Sequence, residues 1–474
     1  MRRETQQMDQ EYLYQKVEQW LLNGIQQRRW KLGDRLPSIR AIRQEHNMSR
    51  ATVQHALQNL EAQGIVEARP RSGYFVTVPP NFEAEPIYNS FIPPPRLATV
   101  NDLLQDIMRR SGAFDLLPKL DTGDLAPGVI SLNRSIGRSL RRQSGDLYHH
   151  YDEPAGDPGL REQLARHNAR RGWQVDPNDV CITSGCQHAI FLALMSCCKA
   201  GDIVAIESPG FYGVLQLLEQ LSLRVVEIPS SITTGIEVGR LEEALKRWDI
   251  RACVVSPAFA TPGGALMRTD AKKRVLALAE QYNFAIIEDD VYADTAFSLT
   301  PAPLKALDTE QRVILCSSFS KSLSRDLRLG WISGARWHKR ILELKLVTQL
   351  ATSRYLQQGV ADFIKDGAFN SHLRRQRKEL RERRDNLLTS LMTWPCELRV
   401  SNPQGGLTVW VELTSTVDTT SAYTQALKKG IVITPGTLFS TTGQFNNCLR
   451  ISYELPWTHR RTSALNDLFD ILHN

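Results

Sequence analysis

Beyond Thr122 the chain repeatedly sets a short apolar run of strand length between longer stretches of helical spacing, as at Ile203 to Ile206, Ala252 to Val255, Phe284 to Ile287 and Val313 to Leu315. Strands that alternate with helices share one sheet, and their connections cross its faces. The pattern therefore predicts an α/β fold with a mixed, mainly parallel sheet wrapped by helices. At 474 residues there is room for such a domain with a substantial core and for a smaller one beside it.

Just after the last of these runs comes Phe319-Ser320-Lys321-Ser322, followed by Arg325-Asp326-Leu327-Arg328-Leu329-Gly330. A lysine among small hydroxyl residues with Arg328 seven positions on suits pyridoxal phosphate. The amine forms a Schiff base with the aldehyde, and the guanidinium grips the phosphate bidentately. Lysines beside serines also occupy countless solvated loops, so the signal needs company.

Upstream, Phe284-Ala285-Ile286-Ile287-Glu288-Asp289-Asp290-Val291-Tyr292 reads as a buried strand ending in acids. Asp289 can pair with a protonated pyridine nitrogen and Tyr292 can hydrogen-bond the ring oxygen, although carboxylates after an apolar strand also bind metals or ribose. In Val180-Cys181-Ile182-Thr183-Ser184-Gly185-Cys186-Gln187-His188 a β-branched run breaks at Gly185 and continues as a helix, a turn that aims backbone N–H groups at a phosphate. Such a turn is more often only a connection. Phe211, in Ser208-Pro209-Gly210-Phe211-Tyr212, could stack on the ring or fill core. Arg450, in Leu449-Arg450-Ile451-Ser452, could pair with an α-carboxylate or sit in a surface ion pair.

As an ordered set, residues 120 to 474 resemble the fold-type I aminotransferases. The resemblance implies that Lys321 carries the Schiff base, Asp289 meets the pyridine nitrogen, Tyr292 meets the ring hydroxyl and Phe211 stacks. It assigns the phosphate to Gly185, Cys186, Gln187, Ser318 and Arg328, and the substrate carboxylate to Arg450. Tyr151 falls where family members lend a tyrosine to the neighbouring subunit, which implies a homodimer. One departure stands out. Where the family has an asparagine before Pro-Thr-Gly, this chain reads Ala260-Thr261-Pro262-Gly263-Gly264, and Thr261 offers the ring oxygen only a hydroxyl on a shorter arm. That puts efficient transamination in doubt while leaving cofactor binding intact.

The first eighty residues have another character. Leu13, Val17, Leu21 and Ile25 recur at helical spacing within residues 11 to 28. Gly33 then breaks the chain, Ser38 is placed to cap a short helix over residues 39 to 45, and Ser49 to cap a third helix running to about Gln63, with Gly64 after it. Two helices joined by a tight turn form a helix-turn-helix, whose second helix would bring Arg50, Thr52 and Gln54 to base edges in the major groove. Ile65 to Val78 makes two β-prone runs around Pro70-Arg71, which reads as a wing. Gly33 to Val76 resembles the GntR family of winged helix-turn-helix repressors. By that resemblance Arg35, Arg40, Ser49, Arg50, Thr52, Arg69 and Gly73 lie at the DNA. The fusion as a whole resembles the MocR subfamily of regulators.

Expected boundaries are 1–78 for the winged helix-turn-helix, 79–98 for a proline-containing linker and 99–474 for the aminotransferase-like body, with a large part at about 120–355 and a small part at about 365–474. Asn101 to Arg110 reads as a helix able to dock on that body. The basic helix Leu373 to Arg384 reads as a solvated face with interleaved Glu379 and Glu382. Residues 1–80 hold twelve Lys and Arg against eight Asp and Glu, a modest surplus for a DNA binder that a dimer doubles. Eight cysteines without metal spacing indicate reduced thiols and no metal site. With no leader and no apolar run long enough to span a bilayer, a cytoplasmic protein is expected.

Three functions remain open on the sequence. The first is a transcriptional regulator binding double-stranded DNA and sensing an amino acid or amine. The second is a working aminotransferase with a DNA-binding head, and the third a sensor of pyridoxal phosphate itself.

Overall fold

The computed structural model describes residues 13–26, 29–30, 33–62, 65–69, 72–76, 92–97, 102–110, 115–118, 125–142 and 150–473. The chain divides into two units, Met1–Ala84 and Glu85–Asn474.

In the first unit, α1 (Leu13–Gln26), α2 (Ile39–His46) and α3 (Arg50–Ala62) precede a hairpin of β1 (Val66–Arg69) and β2 (Gly73–Val76). Val17, Leu21 and Ile25 fall on one face of α1 and are buried against Ile42, Val53, Leu57 and Leu60. Ser38 Oγ accepts from Ala41 N at 3.2 Å and starts α2, which stops at Asn47, held at φ 49° where asparagine is tolerated. Ser49 Oγ accepts from Thr52 N at 3.1 Å and starts α3. The hairpin is antiparallel, pairing Val66 with Val76 and Arg69 with Gly73. The side chain of Leu13, residues 11, 12, 27 and 28, Gly64, Pro70 and Arg71 lie outside the described residues.

The second unit opens with β3 (Arg96–Leu97), α4 (Asp102–Arg109), α5 (Pro127–Arg141) and α6 (Pro158–Ala169). An alternating series follows: β4 (Val180–Thr183), α7 (Cys186–Cys197), β5 (Ile203–Ser208), α8 (Tyr212–Gln220), β6 (Arg224–Ser231), β7 (Gly235–Ile236), α9 (Val238–Arg247), β8 (Ile250–Val255), β9 (Ala258–Ala260), β10 (Ala265–Leu266), α10 (Thr269–Gln281), β11 (Ala285–Asp289), β12 (Val313–Ser318) and β13 (Gly330–Ser333). The main sheet has the order β3-β6-β5-β8-β11-β12-β13-β4, with β7 paired to β6. Strands β6, β5, β8, β11 and β12 are parallel, and β13 runs against both β12 and β4. This is the mixed, mainly parallel sheet that the alternation predicts.

Both faces of the sheet are covered, as its strands require. Val204, Ile206, Val254, Ile287 and Ile314 pack with α7 and α8 on one side, while Ala205, Cys253, Val255, Ile286 and Val313 pack with α9 and α10 on the other. The neighbours along each strand alternate between clusters because side chains alternate across a sheet.

Three further helices, α11 (His338–Gln349), α12 (Arg354–Lys365) and α13 (Ala368–Leu391), lead to a second sheet. That sheet contains β14 (Arg399–Val400) and β15 (Thr408–Glu412), then, after α14 (Thr419–Lys428), β16 (Thr434–Pro435) and β17 (Cys448–Ser452), and α15 (His459–His473) closes the chain's described part. All its pairings are antiparallel.

Two details differ from the sequence reading. Residues 92–97, expected as linker, belong to the second unit: Ile92 is buried in its core and Arg96 pairs with Val225 of β6. Pro93, Pro94 and Pro95 enforce extended backbone, which suits the approach to a sheet edge as well as it suits a spacer. Residues 79–91 and Ala98 lie outside the described residues. The basic helix is also less solvated than its composition implies. Arg384 is buried and donates to Asn402 Oδ1 at 2.8 Å and Pro403 O at 2.7 Å, while Arg377 donates to Thr300 Oγ1 at 2.6 Å. Helix α4 packs as expected on its own unit, with Leu104 and Ile107 buried and Asp106 accepting from Tyr423 at 2.8 Å.

Candidate functional site

The carboxyl ends of the parallel strands meet the start of α7 around a cavity of about 560 Å³. Loops leaving strand ends are where an α/β sheet offers a concave surface. Cys186 and Gln187 from α7, Phe211 before α8, Asp289 from β11, Tyr292 just after it, Ser318 from β12, and Lys321 and Arg328 from the following loop all line it. Eight residues scattered over 143 positions of sequence thus share one space.

The turn from β4 into α7 is built around Gly185 at φ 86°. A Cβ there would stand 2.8 Å from Arg328 Nη2, so only glycine lets that guanidinium lie beside the helix start. No side chain caps α7, which leaves the dipole and N–H groups of its first turn directed at whatever the cavity holds. Arg328 itself sits at φ 46°, a left-handed conformation costing roughly 1 kcal/mol for a non-glycine residue. It is held there by Nη2 donating to Ser184 O at 3.3 Å and Nη1 to Ser320 Oγ at 3.4 Å.

The cavity's electrostatics are set by burial. Burial and the neighbouring Arg325 push the Lys321 amine down to about 7, against the opposing pull of Glu454 and Asp289. The same desolvation pushes Asp289 up to about 6, resisted by hydrogen bonds from Cys186 and Val291. Burial also raises Tyr292, which keeps its phenol protonated, and Lys321 Nζ lies 5.9 Å from that ring's centroid.

Glu288 and Asp290 flank Asp289 and do different work. Alternation along β11 turns them away from the cavity. Glu288 accepts from Leu304 N at 2.7 Å and Lys305 N at 2.8 Å, while Asp290 takes both ends of the buried Arg171 guanidinium, at 2.6 and 2.8 Å. Only the middle acid of the three is available to a ligand, and its neighbours pin the strand end that presents it.

Other expected residues stand apart from the lining. Thr261 is buried, and Arg450 Nη1 donates to its Oγ1 at 3.5 Å. Arg450 lies on β17, with its guanidinium carbon 5.4 Å from the Tyr212 ring and 5.1 Å from Phe439. Tyr151 is 81% exposed and borders solvent. Gln187 lines the cavity but spends its side-chain amide on Gly213 O at 2.8 Å.

Sequence reasoning passed over Arg325, Tyr212 and Met108, all of which line the cavity. Arg325 is ion-paired with Glu454 and was in plain view four positions after Lys321. Met108 arrives on α4 and carries no local signal.

In the first unit, Arg35, Arg40, Ser49, Arg50, Arg69 and Gly73 are exposed, and Thr52 and Gln54 half-buried. Ser49 Oγ and Thr52 Oγ1 are 2.8 Å apart at the start of α3. Arg69 lies over the Phe75 ring at 4.3 Å, and a Cβ on Gly73 would come within 3.2 Å of Arg35 Nε. Arg35 and Arg69 therefore stand at the hairpin, and Arg50 at the N-terminal end of α3. Among the described residues of the whole chain no helix is long and apolar enough to cross a membrane, and no group of three or more His, Cys, Asp or Glu could hold a metal ion.

Residues 119–458 match the family described as aminotransferase class I and II, and residues 13–76 match bacterial regulatory proteins of the gntR family. The uncharacterized HTH-type transcriptional regulator YjiR of Escherichia coli strain K12 is 35% identical over 97% of this chain and 98% of its own length. Among solved structures, an archaeal alanine:glyoxylate aminotransferase superposes with a TM-score of 0.72 at 25% identity, covering 80% of this chain and 96% of that one. LysN, the alpha-aminoadipate aminotransferase of Thermus thermophilus, complexed with N-(5'-phosphopyridoxyl)-L-leucine, gives 0.70 at 27% identity, covering 78% and 94%.

Proposed function

Because the chain belongs to the class I and II aminotransferase family and carries a bacterial regulatory unit of the gntR family ahead of that body, we propose that it is a pyridoxal-phosphate-dependent transcriptional regulator. It reads double-stranded DNA with its first unit and senses an amino acid or amine with its second. One observation carries this reading: Lys321, Asp289, Tyr292, Phe211 and Arg328 converge on a single cavity at the start of α7.

The residues suit the cofactor. The uncapped first turn of α7 and the Arg328 guanidinium, which only a glycine at 185 lets lie so close, gather donors that match a phosphate. Asp289 is a buried carboxylate whose charge calls for a cation, as a protonated pyridine nitrogen provides. Bound there, pyridoxal phosphate supplies an aldehyde that condenses with primary amines and a ring that withdraws electrons.

The chain's own groups do the rest. With its amine near pH 7, Lys321 holds a large neutral, nucleophilic fraction at physiological pH. Asp289 would hold the proton on the ring nitrogen, and Tyr292 would donate its phenolic proton to the ring oxygen. Phe211 would cover one face of the ring and exclude water. Ser318 with Gly185, Cys186 and Gln187 would complete the phosphate cradle. Thr261 reaches the ring oxygen through a hydroxyl at most, and Arg450 behind Tyr212 would receive an amino acid's carboxylate. The exposure of Tyr151 fits a residue handed to the neighbouring subunit of a homodimer. A cytoplasmic location follows from a partner that is DNA.

A second reading, a working aminotransferase, is favoured by the buried Arg450 and opposed by Thr261 in place of the family's asparagine. Titrating the purified, cofactor-loaded protein with amino acids and amines while recording its visible absorption separates the two, with Lys321→Ala as control. A band shift that persists, absent in the control, is the expected outcome for a sensor. Bleaching to the amine form of the cofactor would make the protein a transaminase. A wild-type protein that develops no band with pyridoxal phosphate would contradict both.

A further inference from the structure

Among the residues assigned to the phosphate cradle, Cys186 does something the cradle does not require. Its thiol donates to Asp289 Oδ1 at 3.3 Å, across 103 positions of sequence. The backbone N–H of Val291 donates to the same oxygen at 3.2 Å. Both donors that reach Asp289 among the described residues therefore end on Oδ1, and Oδ2 is the oxygen left to a ligand. The helix start fixes the thiol, because Cys186 is the first residue of α7, and the strand end fixes the carboxylate. We propose that Cys186 is a positioning residue for Asp289, holding its carboxylate in one rotamer and favouring its ionised form, so that Oδ2 meets the protonated ring nitrogen of the cofactor.

The chemistry supports a thiol in this place. Burial, followed by the field of Asp289, drives the Cys186 thiol well above its ordinary value, so it remains a protonated donor across the working pH range. Burial drives Asp289 the other way from where the site needs it, up to about 6, and the thiol's hydrogen bond is the strongest force opposing that rise. The charged and titratable groups facing Asp289 are Cys186 from α7, Glu207 from β5, Asp290 on its own strand, Cys316 from β12, Tyr292 and Lys321. Of these, only Cys186 donates a side-chain hydrogen bond to it.

The proposal rests on pyridoxal phosphate as the ligand, and its test separates the two. The dissociation constant for pyridoxal phosphate is measured against pH for the full-length wild type, Cys186→Ala and Cys186→Ser. In the alanine variant the acid limb of the profile moves up by about one pH unit, so that affinity falls roughly tenfold near pH 5 and only about twofold near pH 7. The serine variant, which restores a donor, returns both toward wild type. A wild type that binds no pyridoxal phosphate sinks the functional reading itself. A wild type that binds normally, with an alanine variant whose profile matches it, overturns the role of Cys186 alone. Should Cys186→Ala not fold, the apoprotein decides: the S–H stretch lost on going from wild type to Cys186→Ser is red-shifted by the carboxylate if the bond exists, and sits at the free-thiol position if it does not.

Discussion

Lys321 is a half-buried base whose charge is costly where it stands, and the unliganded protein bears that cost. Its folded value near 7 lies below the ordinary lysine value of 10.5, so below pH 7 the lysine is charged in both the folded and the unfolded chain and the full desolvation penalty applies. As pH climbs from 7 to 10.5 the folded lysine is neutral while the unfolded one still binds its proton, and the penalty shrinks to nothing. Lys321→Met is therefore predicted to stabilise the apoprotein at pH 6 and to lose that advantage by about pH 10.5. Denaturant unfolding of both proteins across that range checks it, and a difference independent of pH would show that the amine is not desolvated. At this scale the sequence was legible in bringing Lys321 and Arg328 together, since the loop after β12 sets both at one cavity. It placed Cys186 at the phosphate but was silent on its contact with Asp289, because a cysteine at a helix start and an aspartate at a strand end become partners only when β4 and β11 take their places in the sheet.

Elements were legible where local chemistry dictates them. Ser38 and Ser49 start their helices, Gly185 breaks β4 from α7, and the β-prone runs around residues 70 and 71 pair as a hairpin. The fate of residues 92–97 was not legible, because prolines specify extended backbone without specifying what lies beside it. What fixes that segment is a buried carboxylate. Glu227 on β6 accepts from Ser208 Oγ and Ser440 Oγ, each at 2.6 Å, and from Thr441 N at 2.7 Å. Arg96 of β3 stands 3.8 Å from it and donates to Thr441 Oγ1 at 3.0 Å. Glu227→Ala would leave these donors buried without their acceptor, and is predicted to destabilise the second unit by about 3 kcal/mol. Faster amide hydrogen exchange at Arg96, Leu97 and Thr441 than in the wild type is the expected signature. Unchanged exchange there would mean that β3 is held by its backbone pairing alone.

For the molecule as a whole, two periodicities foretold two units. Helical spacing up to residue 62 and strand–helix alternation beyond Thr122 came out as a winged helix-turn-helix and a three-layer α/β body. A cavity that gathers Lys321, Asp289 and Arg328 and a gntR-type unit with exposed arginines are useful in one chain if the state of the first alters the affinity of the second for DNA, which requires a ligand that binds two conformations unequally. The most direct test is the affinity of the full-length, cofactor-loaded protein for a duplex selected by it from a random pool, measured with and without the amine or amino acid that shifts its absorption band, in wild type and Lys321→Ala. The account predicts that the ligand changes wild-type affinity for the selected duplex by about fivefold or more, the lower end of ordinary allosteric coupling. Lys321→Ala should still bind DNA but ignore the ligand. Equal responses in the two proteins, or a ligand that shifts the band and leaves DNA binding untouched, would contradict it.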